Sequence, residues 1–162
     1  MYIQGKYLLG GLNDISECIA IREEVFGGEQ NFPTAAREDE EDRDAIFALA
    51  FETKDNGELF PVGTGRLIFL ADQFKIGRIA IKKEHRGKKY GDFIVRMLVD
   101  KAFSMGAKEV FVGAQEHAIP FYEKIGFVPL DEEYYEDGIY HKMMKIMPST
   151  CKKDCGNHKS TL

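Results

Sequence analysis

Tryptophan is absent from this chain of 162 residues, and cysteine is scarce, with 3 in all. An odd, sparse set of thiols excludes a disulfide-stapled secreted scaffold and points to a reducing, cytoplasmic setting. Cys18 stands alone, whereas Cys151, Cys155 and His158 fall in a polar ending, PSTCKKDCGNHKSTL. Three such ligands without a fourth fall short of a closed zinc site, so no metal is expected. Long apolar runs are missing too. None approaches the ~20 residues that a membrane-spanning helix requires. The opening residues, MYIQGKYLLGGLND, lack a basic stretch running into an apolar core. Neither a membrane span nor a signal peptide is therefore expected. Positive charge is in deficit: 22 Lys and Arg against 27 Asp and Glu leave a net charge of −5. That balance argues against bulk binding to nucleic acid.

What remains is an ordinary globular composition, 44% hydrophobic and 30% charged. The length suits one domain with a real core. We read that domain as residues 1–147, followed by a tail over 148–162, in a monomer or a homodimer. The chain is organised around residues 74–105. A short β-branched run, IGRIAI at 76–81, has the form of a buried strand. From Tyr90 onward, Phe93, Ile94, Met97, Leu98, Ala102 and Met105 recur at helical spacing on one face. Between strand and helix lies Arg86-Gly87-Lys88-Lys89-Tyr90-Gly91. Glycine lets a backbone approach a ligand closely, and the first amides of a helix are unpaired and partly positive. Together with three cations they form a candidate anion site, best suited to phosphate. An ordinary basic loop is the alternative that these six residues leave open.

The other elements follow in order. Residues 6–9 read as a first strand. Asn13 or Asp14 would cap a helix running to about Phe26 and stopping at Gly27-Gly28. The acidic run REDEEDRD at 37–44 reads as a solvated loop. Residues 45–53 and 59–70 form an antiparallel pair around the turn Asp55-Asn56-Gly57-Glu58. Residues 109–115 make the next strand, parallel to 76–81 across the central helix. Pro120 opens another helix and Gly126 ends it. Residues 127–130 and 139–146 close the chain as a hairpin around an acidic loop, 131–138.

A second segment, AQEHAIPFYEKIGF at 114–127, decides the reading. With Arg86 to Gly91 it resembles the GNAT N-acetyltransferases, which carry an Arg/Gln-x-x-Gly-x-Gly/Ala motif, a strand, and then a helix with Phe-Tyr-Glu-Lys-x-Gly-Phe. The resemblance covers residues 6–147, and Val25-Phe26-x-x-Glu29-Gln30 is similar to the ElaA-like bacterial branch. It implies a mixed α/β (α+β) fold: a mostly antiparallel sheet flanked by helices, with one parallel strand pair around the cofactor-binding turn. It also implies acetyl-CoA as cofactor and a small-molecule or peptide amine as acceptor. Cofactor contacts are implied at Ile79, Ala80, Ile81, Arg86, Gly87, Lys88, Lys89, Tyr90, Gly91, Asp92, Gln115 and Phe121. One departure stands out. The first glycine of the family motif is Lys89 here, at a cost of roughly 1–2 kcal/mol if the position is left-handed.

Acyl transfer to an amine needs the phosphates held, the thioester carbonyl polarised, the amine deprotonated and the leaving thiolate protonated. The resemblance implies that strands 76–81 and 109–115 splay, so that unpaired amides near Ile79, Ala80 and Ile81 meet the second need. It implies Tyr122 as general acid, a role a phenol can fill toward a weakly basic thiolate. Phe127, next to the motif glycine, reads as core. Glu29, Glu116, His117 and His141 are the candidate bases, with a water chain as the alternative; histidine ordinarily titrates nearest neutrality. A CoA-binding sensor without turnover is the competing reading. A P-loop nucleotide site is disfavoured by the missing Gly-Lys-Ser/Thr sequence. Two acidic segments, Glu38 to Asp44 and Asp131 to Asp137, favour a cationic acceptor, with plain solubility as the alternative.

Overall fold

Seven strands form one sheet in the order β1-β2-β3-β4-β5-β7-β6. They are β1 (Ile3–Leu9), β2 (Ile46–Thr53), β3 (Leu59–Leu70), β4 (Gln73–Ile81), β5 (Val110–Gln115), β6 (Val128–Glu136) and β7 (Ile139–Ile146). The computed structural model describes residues 3–152. Every neighbouring pair is antiparallel except β4 and β5, which are parallel. The expected α/β architecture is thus the observed one.

Burial shows how β2, next to the edge strand β1, is packed. Phe47, Leu49 and Phe51 belong to one apolar cluster, and Ala48 and Ala50 to the other. Alternate side chains point to opposite faces of a strand, so β2 is covered on both. One face receives α1 (Ser16–Arg22) and α2 (Pro33–Ala36); the other receives α3 (Tyr90–Ser104) and α4 (Ile119–Ile125). The α3 face buries Phe93, Ile94, Met97, Leu98 and Ala102, each large side chain contributing about 1.5–3 kcal/mol. Gly63 and Gly65 let that helix sit close. A Cβ on Gly65 would lie 2.5 Å from Ile79 Cδ1 and 2.9 Å from Ile94 Cγ2.

Three expectations need correcting. The first helix does not stop at Gly27-Gly28. After α1 the chain continues as a π-helical segment, Glu23–Glu29, and the Gln30 amide bonds to the Val25 carbonyl at 3.0 Å. The wider turn keeps Val25 and Phe26 both buried, so core packing outweighs the glycines' weak helix preference. The acidic run keeps six of its eight residues exposed, but it is ordered and not solvated throughout. Residues Glu40–Asp44 form a 3-10 turn whose capping box pairs Asp39 with Asp42, and Asp42 is 1% exposed. Nor are residues 131–136 a loop: they belong to β6. The hairpin turns on Asp137 (φ 51) and Gly138 (φ 77) alone, the two-residue geometry that matches strand twist.

Residues 147–152 fold back over the end of α4. The Lys152 amide donates to the Ile125 carbonyl at 2.8 Å. Gly126, at φ 123, has the Thr150 carbonyl oxygen where a Cβ would be. Cys151 packs against the α3-side core. Cys155 and His158 lie outside the described residues.

Candidate active site

β4 and β5 pair only from Phe74–Val110 to Ile76–Val112. Beyond Ile76 the two strands part, and the edge that β4 shows to β5 goes unpaired. A cavity of about 490 Å3 opens there, lined by Ile79, Ile81, Arg86, Gly91, Gln115 and Phe121 at one end and by Tyr122 at its wall. Sequentially distant residues thus meet where the sheet opens, the place where a parallel pair leaves backbone groups available.

The end nearest α3 is made of backbone. Gly87 has φ 78 with open space around it, and Lys89 sits in the left-handed region at φ 69. Lys89 is the residue before α3, and no side chain among the described residues caps the helix there. The amides of Tyr90, Gly91 and Asp92 therefore begin a helix of 15 residues without an intrahelical acceptor. A Cβ on Gly91 would stand 3.4 Å from the Phe121 ring. Lys88 and Lys89 are exposed beside these amides. This arrangement suits a phosphate-bearing group.

Arg86 behaves differently. Its guanidinium is engaged twice by the Glu29 carboxylate, with Nη2 donating to Oε1 at 2.6 Å and Nη1 to Oε2, while Nε donates to the Ile81 carbonyl at 3.0 Å. That pairing holds the Glu29 carboxyl below its ordinary range. Behind the loop, Glu52 accepts from the Tyr90 hydroxyl at 3.0 Å, sits 2.9 Å from His85 Nδ1 and lies 3.8 Å from Lys88 Nζ. One carboxylate on β2 thus ties down the whole turn. Asp92 is bound to Arg96 at 2.8 Å.

Tyr122 is buried on α4, edge-on to Phe121 at 5.0 Å and Phe127 at 5.4 Å. Burial, with the neighbouring Tyr134, raises its pKa, so the hydroxyl keeps its proton at neutral pH. The far end of the cavity is made of side chains. Tyr134 and His141 stack at 4.9 Å with ring planes 10° apart. His141 Nδ1 lies 2.9 Å from the Ile139 carbonyl, which can only accept; Nδ1 therefore donates, and in the neutral ring the lone pair falls on Nε2. Tyr134 overlies Gly113, its hydroxyl occupying the place a Cβ would take. Under them Arg66, Lys75 and Arg78 line the cavity with Glu41 and Glu136.

The family profile described as "Acetyltransferase (GNAT) domain" matches residues 14–148. The chain belongs to the GNAT acetyltransferase family. It is 35% identical over 133 residues to the uncharacterized N-acetyltransferase YjcF of Bacillus subtilis, covering 81% of this chain and 91% of that protein. Among solved structures, Escherichia coli ElaA superposes with a TM-score of 0.73 at 29% identity, over 89% of this chain and 99% of that one. The PaiA N-acetyltransferase of Thermoplasma acidophilum, solved in complex with coenzyme A, shares the fold with a TM-score of 0.64 at 19% identity, over 91% and 99% of the two chains. The resemblance to the ElaA-like branch is therefore upheld.

Within this GNAT domain the residues singled out from sequence fall into two groups. Ile79, Ile81, Arg86, Gly91, Gln115, Phe121 and Tyr122 share the cavity wall, and Gly87, Lys88 and Lys89 form the exposed turn between Arg86 and α3. Ala80 turns its methyl into the α1-side core, and Tyr90 is buried with its hydroxyl on Glu52. Among the candidate bases, His117 and His141 line the cavity. Glu116 is exposed on the turn after β5, and Glu29 is bound to Arg86. Arg66, Lys75, Arg78 and Tyr134 were missed. A signal was present: Arg66 and Arg78 interrupt otherwise apolar strand runs, GTGRLIF and IGRIAI, and a charge at such a place is unusual unless paired or functional.

Proposed function

We propose that this GNAT protein is an N-acetyltransferase that moves the acetyl group of acetyl-CoA to a primary amine by direct attack in a ternary complex. Among the described residues Cys18 and Cys151 are both free thiols, which suits a cytoplasmic setting. The carrying observation is the meeting of an uncapped helix start, a strand gap and a buried protonated tyrosine around one cavity. The amides of Gly87 to Asp92, with Lys88 and Lys89, would hold the pyrophosphate of the cofactor, which supplies an acyl carbon activated as a thioester. The freed edge of β4 from Gly77 to Ile81 offers backbone donors to the carbonyl oxygen, a kind of donor typically worth about 2.7–4 kcal/mol each. His141 takes the amine's proton at Nε2, consistent with its assigned tautomer. Tyr122 gives its proton to the departing sulfur. Neither described cysteine is placed as an acyl carrier: Cys18 lies in the α1-side core and Cys151 in the contact over α4.

The test is release of free CoA from acetyl-CoA with a panel of primary amines, with the acetylated product confirmed by mass. Thiol release that depends on the amine is the expected result. Saturable CoA binding with no thiol release for any amine would instead mark the chain as a CoA-binding module.

A further inference from the structure

The far end of the cavity holds cations of two kinds. Arg66 on β3 and Arg78 on β4 are fixed by carboxylates: Arg66 Nη1 donates to Asp39 at 2.7 Å and to Asp42 at 2.6 Å, and Arg78 binds Glu136 at 3.2 Å and Asp39 at 3.6 Å. A guanidinium keeps its proton at any working pH and offers no lone pair. Lys75 on β4 is different. Among the described residues that line the cavity it alone carries a primary amine. Its ammonium lies over the face of Tyr134, 5.2 Å from the ring centre, and among the described residues no hydrogen bond or ion pair holds it. Such a contact steadies an ammonium without capturing its lone pair or its protons.

The place of Lys75 in the sheet sets what that amine can meet. Lys75 pairs with Phe111, and Ile76 with Val112 in the last rung that β4 and β5 share. Gly113 is the first β5 residue beyond that rung, and the Tyr134 hydroxyl lies 2.0 Å from where its Cβ would be. The ring that carries the Lys75 ammonium therefore covers the root of the gap between the strands. The freed edge of β4, offered above to the thioester carbonyl, begins at Gly77, two residues on. Burial holds the Lys75 pKa below the ordinary lysine range, against the pull of Glu136 and Glu41. The neutral, nucleophilic amine is thus easier to reach here than on an exposed lysine.

We propose that Lys75 is a self-acetylation site, its amine taking the acetyl group of acetyl-CoA when no acceptor fills the far end of the cavity. The assignment rests on the transferase reading for the donor, and on the position of Lys75 for the acceptor. The ammonium first releases one proton to water. The Nζ lone pair then attacks the acetyl carbonyl carbon and the carbon–sulfur bond breaks. The nitrogen loses a second proton to water, and Tyr122 protonates the departing sulfur. The products are an acetylated lysine and free CoA. The modified side chain carries no charge, so the carboxylates of Asp39, Glu41, Asp42 and Glu136 are left facing Arg22, Arg66 and Arg78 alone. Self-acetylation would in this way change the electrostatics of the far end as well as its free volume.

The full chain is incubated with acetyl-CoA and no added amine, and its intact mass and peptides are followed. Gain of one acetyl group on Lys75, with one CoA released for each, is expected, and Lys75→Arg should gain none at that position. Tyr122→Phe should acquire the group about 10²–10⁴-fold more slowly, which separates catalysis in the cavity from chemical acetylation of an exposed amine. An equal rate in that variant overturns the proposal. A second arm uses no CoA: trace acetic anhydride should label Lys75 at a lower pH than the exposed Lys88 and Lys89. Labelling of Lys75 only at their pH or above it, or not at all, overturns the proposal as well. An unmodified Lys75 in a chain that releases CoA to added amines sinks self-acetylation and leaves the transferase reading standing. If neither Lys75 nor any amine is acetylated, both fall.

Discussion

The two ends of the cavity are built from different materials. The end proposed for the cofactor is backbone: amides of a turn and a helix start, held in place from behind by Glu52 on β2. The end proposed for the acceptor is side chains: a buried network in which Asp42 bridges Arg22 at 2.8 Å and Arg66 at 2.6 Å. The contrast has a chemical logic. A pyrophosphate asks only for positive potential and close approach, which any sequence with the right turn supplies. Discrimination among amines requires groups at fixed places in space, and side chains from separate strands supply those.

The comparison can be strained first at the acceptor end. Asp42→Ala would leave the Arg22 and Arg66 guanidiniums buried with their charge poorly met. A loss of about 3–5 kcal/mol in urea denaturation is expected. The pH dependence follows the same group. Burial works against the Asp42 anion, but hydrogen bonds from Arg22, the Asp39 backbone and Arg66 prevail and hold its carboxyl below the ordinary range. Its contribution is therefore present above about pH 4 and is lost as the pH falls toward the depressed value. Stability of Asp42→Ala should accordingly fall less steeply than that of the parent below pH 4. An equal acid slope would show that the network is not what titrates.

At the junction of the two ends, Tyr122→Phe removes one proton donor and no contact area. Turnover should drop by about 10²–10⁴-fold where chemistry limits the rate, with CoA affinity by calorimetry nearly unchanged. Unchanged turnover takes Tyr122 out of the mechanism. At the cofactor end, Gly91→Val pushes two methyls toward Phe121 and Ile81, where a bare Cβ already meets the Phe121 ring at 3.4 Å. CoA affinity should fall by at least about tenfold, a loss of roughly 1.4 kcal/mol, while the melting temperature changes little. The smallest effect is expected from Glu52→Gln. Loss of charge-assisted bonds to His85 and Tyr90 should weaken CoA binding by about 1 kcal/mol through a loosened turn. A larger loss would mean that the backbone end depends on side chains as heavily as the other end does.

The same contrast governs how much could be read from the chain. Arg86 to Gly91 and Phe121 to Phe127 are contiguous segments, so residues of both could be expected at one cavity, and they line it; the parallel pair of strands around α3 was visible too. The acceptor end was hidden because Arg22, Asp42, Arg66, Lys75 and Arg78 meet only through the tertiary fold. Read in isolation, the run 37–44 is merely acidic, and nothing in it announces that Arg22 and Arg66 will draw Asp42 into the core. The π-helical continuation through Gly27-Gly28 was missed for a related reason: packing of Val25 and Phe26 overrode a local stop signal. Likewise residues 131–136 looked like a loop because their charges are those of a solvent-facing edge strand.

The sheet order carries a consequence for how the protein comes into being. β7 lies between β5 and β6, so β6 leaves the ribosome before the strand that links it to the rest of the sheet. Synthesis runs from the N-terminus, so β1 to β5 and the turn before α3 are made first, and the domain folds as a unit once β7 has followed. Tyr134 waits for His141, its stacking partner from the later strand. A nascent chain thus carries the turn of the proposed phosphate site before it carries His141, the β7 residue that completes the far end of the cavity.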